Sequence, residues 1–291
     1  MSAPLPAVPL IIFSHGNSFP GGSYSQLFKP LRARGYRVRA IDRFGHNPAH
    51  PVTSNWPHLV QELAEFAGHE MAKAQTPAWL VGHSLGGVLS VMCAARHPML
   101  GGFKIAGVVL LDSPLLTGWR AKVLAASKHT RLIGAVSPGR ISRQRRTHWD
   151  SQEEVLAQWS KKRLFSKWDP ACLADYVNHG TEMVTDANGQ TQCVLRFDRT
   201  VETQIYNTLP HNVDRLLRKH PLSCPVSFVA GTHSAEMRQV GAHFAQRVVG
   251  SQQPPRWQTI DGDHLFVFEK PKETAQLVLN ALHDMAPNTH L

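Results

Sequence analysis

The sequence predicts an α/β protein: a mostly parallel central sheet flanked by helices and interrupted once by an inserted helical cap. Three observations carry this. Short apolar runs alternate with helix-period segments through residue 114 and again after residue 222. The runs are rich in Val, Ile and Leu and lack polar alternation, the pattern of parallel strands covered on both faces. Between about 115 and 222 the alternation stops, and a basic, tryptophan-dotted stretch of helical tendency follows. A core of 1–114 and 223–291, with 115–222 inserted as the cap, accounts for all 291 residues without a second independent domain.

The elements follow in order. PLIIFSHG (9–16) reads as a first strand; it has no basic flank, so it is not read as a signal peptide. YRVRAID (36–42), AWLVGHS (78–84) and IAGVVLLDSP (105–114) are the next strands. Between the second and third, Trp56, Leu59, Val60, Leu63, Phe66 and Ala67 repeat with helical spacing after the capping cluster Thr53-Ser54-Asn55. After the insertion come strands at 224–231 and 256–261, each followed by a helix (236–249 and 273–285). There is no internal repeat.

Composition narrows the function. No apolar run reaches the roughly 18 residues of a membrane span. Cys93, Cys172, Cys193 and Cys224 have no CxxC or CxxH spacing, and the expectation is free thiols in a reducing, cytoplasmic setting. The net charge of +10 is concentrated: Arg120 to Lys167 holds twelve Lys/Arg against three acids. Without an accompanying nucleic-acid motif, this span is read as a solvated charged surface, with attraction for anionic substrates second and nucleic-acid binding not expected. No HExxH or comparable spacing implies a metal, and no GxGxxG turn implies a dinucleotide cofactor, so none is expected.

The informative turn is LVGHSLGG (80–87). Ser84 sits between a strand and an apolar helix, flanked two residues away by Gly82 and Gly86. A serine on such a strained strand–helix turn requires small neighbours, and the free N–H groups of the helix that follows point at its Oγ. Serine is a poor nucleophile without a base. Of seventeen histidines, His264 follows the last strand in a glycine-containing loop, which brings it to the same carboxyl edge of the sheet as Ser84. Asp263 is read as a loop or cap residue. Backbone donors for an oxyanion are the N–H of Leu85 and, from the loop after the first strand (His15-Gly16-Asn17), that of Asn17. His15, Asp42 and His46 are given structural roles.

His15-Gly16-Asn17, Gly82-His83-Ser84-Leu85-Gly86-Gly87 and Asp263-His264, in this order, resemble the α/β-hydrolase superfamily. The resemblance covers about 1–114 and 223–291 and implies a Ser84–acid–His264 triad, with the insertion as the variable helical cap of its esterase-like members. The chain departs from the pattern at the acid. The position that commonly carries Asp, three residues past the glycine ending the strand before last, is Ser234. Two carboxylates stay open: Asp112, ending the strand VVLLD, and Glu236, two residues past the usual place. Asp112 is favoured, because a short side chain at a strand's carboxyl end reaches the imidazole Nδ1–H, whereas Glu236 begins a helix in this reading.

The expected activity is hydrolysis of a small ester or thioester, with an anionic substrate suggested by the basic span. C–C bond hydrolysis, lyase and perhydrolase chemistry use the same residues, and a non-catalytic ligand-binding or sensor protein on this fold is the rival from another class. Trp119, Trp149, Trp159, Phe165, Trp168 and Tyr176 are read chiefly as the cap's own core. A homodimer is compatible with the sequence.

Overall fold

The computed structural model describes residues 8–117, 142–251 and 256–286. Trp119 and the basic residues Arg120, Lys122, Lys128, Arg131 and Arg140 lie outside them. The central sheet consists of β1 (Leu10–Ser14), β2 (Arg37–Ala40), β3 (Ala78–His83), β4 (Gly107–Leu111), β8 (Val226–Gly231) and β9 (Trp257–Ile260). Their order is β9-β8-β4-β3-β1-β2, and every pairing is parallel. β1, β4 and β8 are buried along their whole length. Successive residues serve opposite faces: Leu10 and Ile12 join one hydrophobic cluster, Ile11 and Phe13 the other. Val108 and Leu110 against Val109 and Leu111 repeat the division. A strand apolar at every position is thus the sequence of a sheet with two dry faces.

α1 (Ser25–Ala33), α2 (Pro57–Ala74) and α3 (Leu85–Arg96) connect the first four strands. α2 begins at Pro57 with Trp56 as a left-handed N-cap that makes no side-chain cap bond, so Thr53-Ser54-Asn55 precedes the helix without capping it. Past β8, the helix expected over 236–249 is two: α8 (Ala235–Val240) and α9 (His243–Val249). They part at Gly241, whose φ of 78° stops helical propagation. α10 (Pro271–Met285) closes the chain against α1.

Between β4 and β8, the described residues hold α4 (Gln152–Trp159), α5 (Pro170–Gly180), α6 (Arg199–Asn207) and α7 (Val213–Lys219). They also hold a three-stranded antiparallel sheet, β5 (His148–Trp149), β7 (Thr191–Leu195) and β6 (Thr181–Thr185), in the order β5-β7-β6. This sheet is the main departure from the all-helical insertion that the sequence suggested. β6 exposes every side chain but Thr181, and β7 fully buries only Cys193, so no apolar alternation announced them. The turn between them did carry a signal, Asn188-Gly189, with Gly189 at φ 79° and Asp186 Oδ1 accepting the N–H groups of Asn188 and Gln190. Trp149, Trp159, Phe165, Trp168 and Tyr176 are all buried and share one cluster with Phe13, Tyr24 and Phe268 of the sheet's own layer.

The tightest packing lies where α3 meets β1. A Cβ on Gly86 would stand 1.9 Å from the Ser14 carbonyl oxygen, and one on Gly82 would stand 2.3 Å from the Gly86 carbonyl carbon. Both obstacles are backbone and cannot swing away. Gly86→Ala should therefore cost about 3 kcal/mol or more. Urea unfolding should register this as a lowered midpoint with unchanged slope, and a variant as stable as the parent would contradict the packing.

Candidate active site

β1, β3, β4 and β9 all point their carboxyl ends at one edge of the sheet, and the loops leaving that edge carry the site. Ser84 joins β3 directly to α3 at φ 53° and ψ −118°. A non-glycine residue there is strained, and the turn is held by Ser84 N–H donating to Leu111 O at 3.0 Å. Gly82, Gly86 and Gly87 surround it; a Cβ on Gly87 would stand 1.9 Å from Ser113 Oγ. Leu85 is the first residue of α3, so its N–H has no acceptor within the helix.

His264 follows β9. Its Nε2 lies 2.9 Å from Ser84 Oγ and its Nδ1 2.7 Å from Asp112 Oδ2. Asp112, at the end of β4 with φ 43°, is fully buried. A carboxylate only accepts, so Nδ1 carries the proton and Nε2 presents its lone pair to the serine hydroxyl. Two more donors fix the carboxylate: Gly231 N–H to Oδ1 at 2.8 Å and Ser234 O–H to Oδ2 at 2.6 Å. Ser234 also caps α8 by accepting the N–H of Met237. The end of β4 and the position where the family commonly carries Asp thus meet at one oxygen, with a carboxylate on β4 and a hydroxyl after β8. Glu236 Oε2 is 3.9 Å from His264 Nδ1 and 45% exposed, close enough to act by charge and too far for a hydrogen bond. Burial works to lower the pKa of His264. The hydrogen bond and charge of Asp112, aided by Glu236 and Asp263, outweigh it and leave the imidazole above its ordinary 6.5.

Asn17 lies in the loop after β1 with its side chain buried, Nδ2 donating to Glu202 O at 3.1 Å. His15 braces that loop: its ring bonds the Gly16 carbonyl through Nδ1 and accepts the Phe44 N–H at Nε2. Arg196 donates to Asp42, and His46 accepts the Asp198 N–H. Asp263 accepts the Leu265 N–H. Among the described residues, Asp112, Glu236 and His264 form the one group of three ligand-type side chains with donor atoms within 4.8 Å of one another.

Sequence reasoning did not assign Tyr24 and His83, which tie three loops together. The Gly16 N–H donates to Tyr24 Oη at 2.9 Å. The tyrosine hydroxyl then donates to His83 Nδ1 at 2.8 Å, and His83 Nε2–H donates to the His264 carbonyl at 3.0 Å. The order is forced, because the Tyr24 oxygen already accepts from Gly16 and a backbone carbonyl can only accept. Burial depresses His83 to about 3 and His15 to about 4.

The carboxyl-edge serine turn and the parallel order of the sheet are those of the nucleophile-elbow folds. The chain belongs to the alpha/beta hydrolase family, which it matches over residues 11–277. Pyrethroid hydrolase of Sphingobium wenxiniae is 35% identical over 108 residues, 36% of this chain and 36% of that protein. Monoglyceride lipase of Rattus norvegicus is 30% identical over 140 residues, 45% of each. The chain therefore spans less than half the length of these relatives. Among solved structures, E-2-(acetamidomethylene)succinate hydrolase aligns over 94% of this chain and 91% of its own, at TM-score 0.66 and 22% identity. The thioesterase domain from the curacin biosynthetic pathway aligns over 94% and 92%, at 0.65 and 18%. At these identities the likeness is one of fold.

Because His15 and His83 are neutral when folded and free to protonate when unfolded, the unfolded chain binds more protons below pH 6.5. Stability should fall on acidification from 6.5 towards 4, each histidine contributing up to about 1.4 kcal/mol per pH unit. Urea midpoints measured at pH 6.5 and 5 should show a shallower loss in His83→Gln than in the parent; an identical loss would mean that His83 is not held neutral.

Proposed function

We propose that this protein is a serine hydrolase cleaving a carboxylic ester or thioester. The carrying observation is the series Ser84 Oγ–His264 Nε2 at 2.9 Å and His264 Nδ1–Asp112 Oδ2 at 2.7 Å. In this reading Ser84 attacks the carbonyl while His264 takes its proton, and the N–H groups of Asn17 and Leu85 hold the oxyanion. His264 then delivers the proton to the leaving alcohol or thiol, and water repeats the sequence to free the acid. Asp112 fixes the tautomer and balances the imidazolium, with Gly231 and Ser234 keeping its oxygens in place. Residues 115–222 form the cap that shapes the substrate pocket over the core of 1–114 and 223–291.

Relatives named for hydrolysis of pyrethroids and monoglycerides support ester cleavage. Charge near the reacting serine favours neutral substrates over the anionic ones suggested by the basic span. Glu236 borders His264, and Arg145 of that span is paired with Glu202.

A fluorophosphonate probe should label the folded protein, and Ser84→Ala should abolish labelling. p-Nitrophenyl esters of graded chain length, assayed beside acyl-CoA thioesters, identify the acyl preference; absence of both labelling and turnover favours a binding protein on this fold. Asp112→Asn should lower kcat by about 10⁴-fold, whereas Glu236→Gln should stay within several-fold of the parent. The reverse ranking would make Glu236 the acid.

The base must be neutral to accept the serine proton, and its pKa is raised. kcat/KM should therefore decline on acidification with a midpoint above 6.5. In Asp112→Asn the residual activity should show that midpoint displaced downward, since the largest raising influence is gone. An unmoved midpoint would assign the ionisation to another group.

A further inference from the structure

We propose that Arg145 is a positioning residue for the oxyanion loop, acting through Tyr176 and Glu202; the inference rests on the hydrolase reading above. Arg145 belongs to the basic run that the sequence presents as solvated surface, yet its side chain is only 19% exposed and its partner Glu202 only 8%. The guanidinium lies 5.6 Å from the Trp159 ring centroid and 5.9 Å from that of Tyr176. Its Nη1 donates to Glu202 Oε2 at 3.3 Å, and its Nη2 donates to the Tyr176 hydroxyl.

Arginine can only donate, so the Tyr176 oxygen is the acceptor in that bond and its single proton is directed elsewhere. It goes to the Ser18 carbonyl, 3.3 Å away. Glu202, held from the other side of the guanidinium, presents its backbone carbonyl to Asn17 Nδ2 at 3.1 Å. The two residues that follow Gly16 are thus gripped by the two partners of one buried cation. Ser18 needs an external hold, since it is a non-glycine residue at φ 77°. The Tyr176 ring is itself immobilised, with its centroid 4.7 Å from that of Trp159 and 5.1 Å from that of Phe19.

Stability is a poor explanation for such a pair, because a buried ion pair is commonly matched or bettered by apolar residues of the same volume. Placement explains it better. Asn17 is the proposed second oxyanion donor, and its N–H is useful only if aimed at the developing charge. The Arg145 grip makes that aim depend on the inserted segment, so insertion and oxyanion site work as one unit.

Tyr176→Phe retains the stacked ring and deletes both hydroxyl bonds. With a p-nitrophenyl ester, kcat should fall by about tenfold to a hundredfold with KM nearly unchanged. Affinity for a trifluoromethyl ketone, which forms a tetrahedral oxyanion on Ser84, should fall by the same factor as kcat/KM. The acid midpoint of the pH profile should stay put, since His264 is untouched. Arg145→Met should act in the same direction. Arg145→Lys should recover part of the loss, because an ammonium restores the charge facing Glu202 without the fork to Tyr176. Hydrogen exchange in the peptide spanning residues 15–24 should quicken in Tyr176→Phe while that of β1 does not. Unchanged exchange in that peptide would overturn the proposal, as would ketone affinity and kcat/KM within twofold of the parent. If Arg145→Met does not fold, Tyr176→Phe decides alone. Should the parent protein neither turn over esters nor bind the ketone, the hydrolase reading fails, and the exchange measurement still decides whether Arg145 holds the loop.

Discussion

The close approach of α3 to the end of β1 is the constraint on which the rest of the structure depends. A backbone carbonyl from Ser14 occupies the volume that any side chain at 86 would need, and the Gly86 backbone does the same to position 82. Only with both side chains absent can the chain turn from strand to helix within one residue and leave Ser84 at φ 53°. The sheet supplies the counter-force. Ser84 N–H is bonded to the end of β4, and β3 is gripped along its length by β1 and β4. Local strain at one residue is tolerated because the parallel pairings of β3 with β1 and β4 oppose its release.

The same edge sets the electrostatics. Asp112 is fully buried, a costly place for a carboxylate. It is surrounded by donors: the Gly231 amide, the Ser234 hydroxyl and the His264 imidazole. They come from two separate parts of the chain, so the carboxylate welds β4, the β8–α8 turn and the loop after β9 together. Glu236 stands outside this weld, nearly half exposed, and contributes charge without direction.

How much of this was legible depends on whether a residue's role is written locally. β1, β4 and β8 were readable because burial on both faces demands an unbroken apolar run. Ser84 was readable because its requirement falls on residues two positions away. His264 and Asp112 were readable as strand-end residues, and reach favoured Asp112 over Glu236 as the partner of His264. Only coordinates supply the distances to His264 Nδ1, 2.7 Å from Asp112 Oδ2 and 3.9 Å from Glu236 Oε2. The β6–β7 hairpin was not readable from periodicity, since β6 faces solvent past Thr181 and β7 fully buries only Cys193. Tyr24 was also hidden: its partner lies 59 residues away, and nothing in the adjacent sequence distinguishes it from an ordinary packing residue. Ser234 was located by its spacing from the β8 glycine, but its bond to an aspartate 122 residues away was not. The basic span misled in one particular, for charge counting cannot tell a solvated arginine from one such as Arg145, turned inward on an acid and two aromatic rings.

The ring of His83 lies 5.1 Å from that of His264. Two imidazoles at that separation, both able to ionise near neutrality, would share their protons and blur one another's titration. The fold prevents this by burying His83 completely, which holds its ring neutral, and by fixing both its nitrogens, one with a tyrosine proton and one with a backbone carbonyl. His83 becomes a rigid spacer of fixed charge, shaped like a base and excluded from proton traffic. The neighbouring histidine is left as a solitary ionisation, whose protonation state answers to solvent pH and to the carboxylates around it, Asp112 first, without interference from its twin.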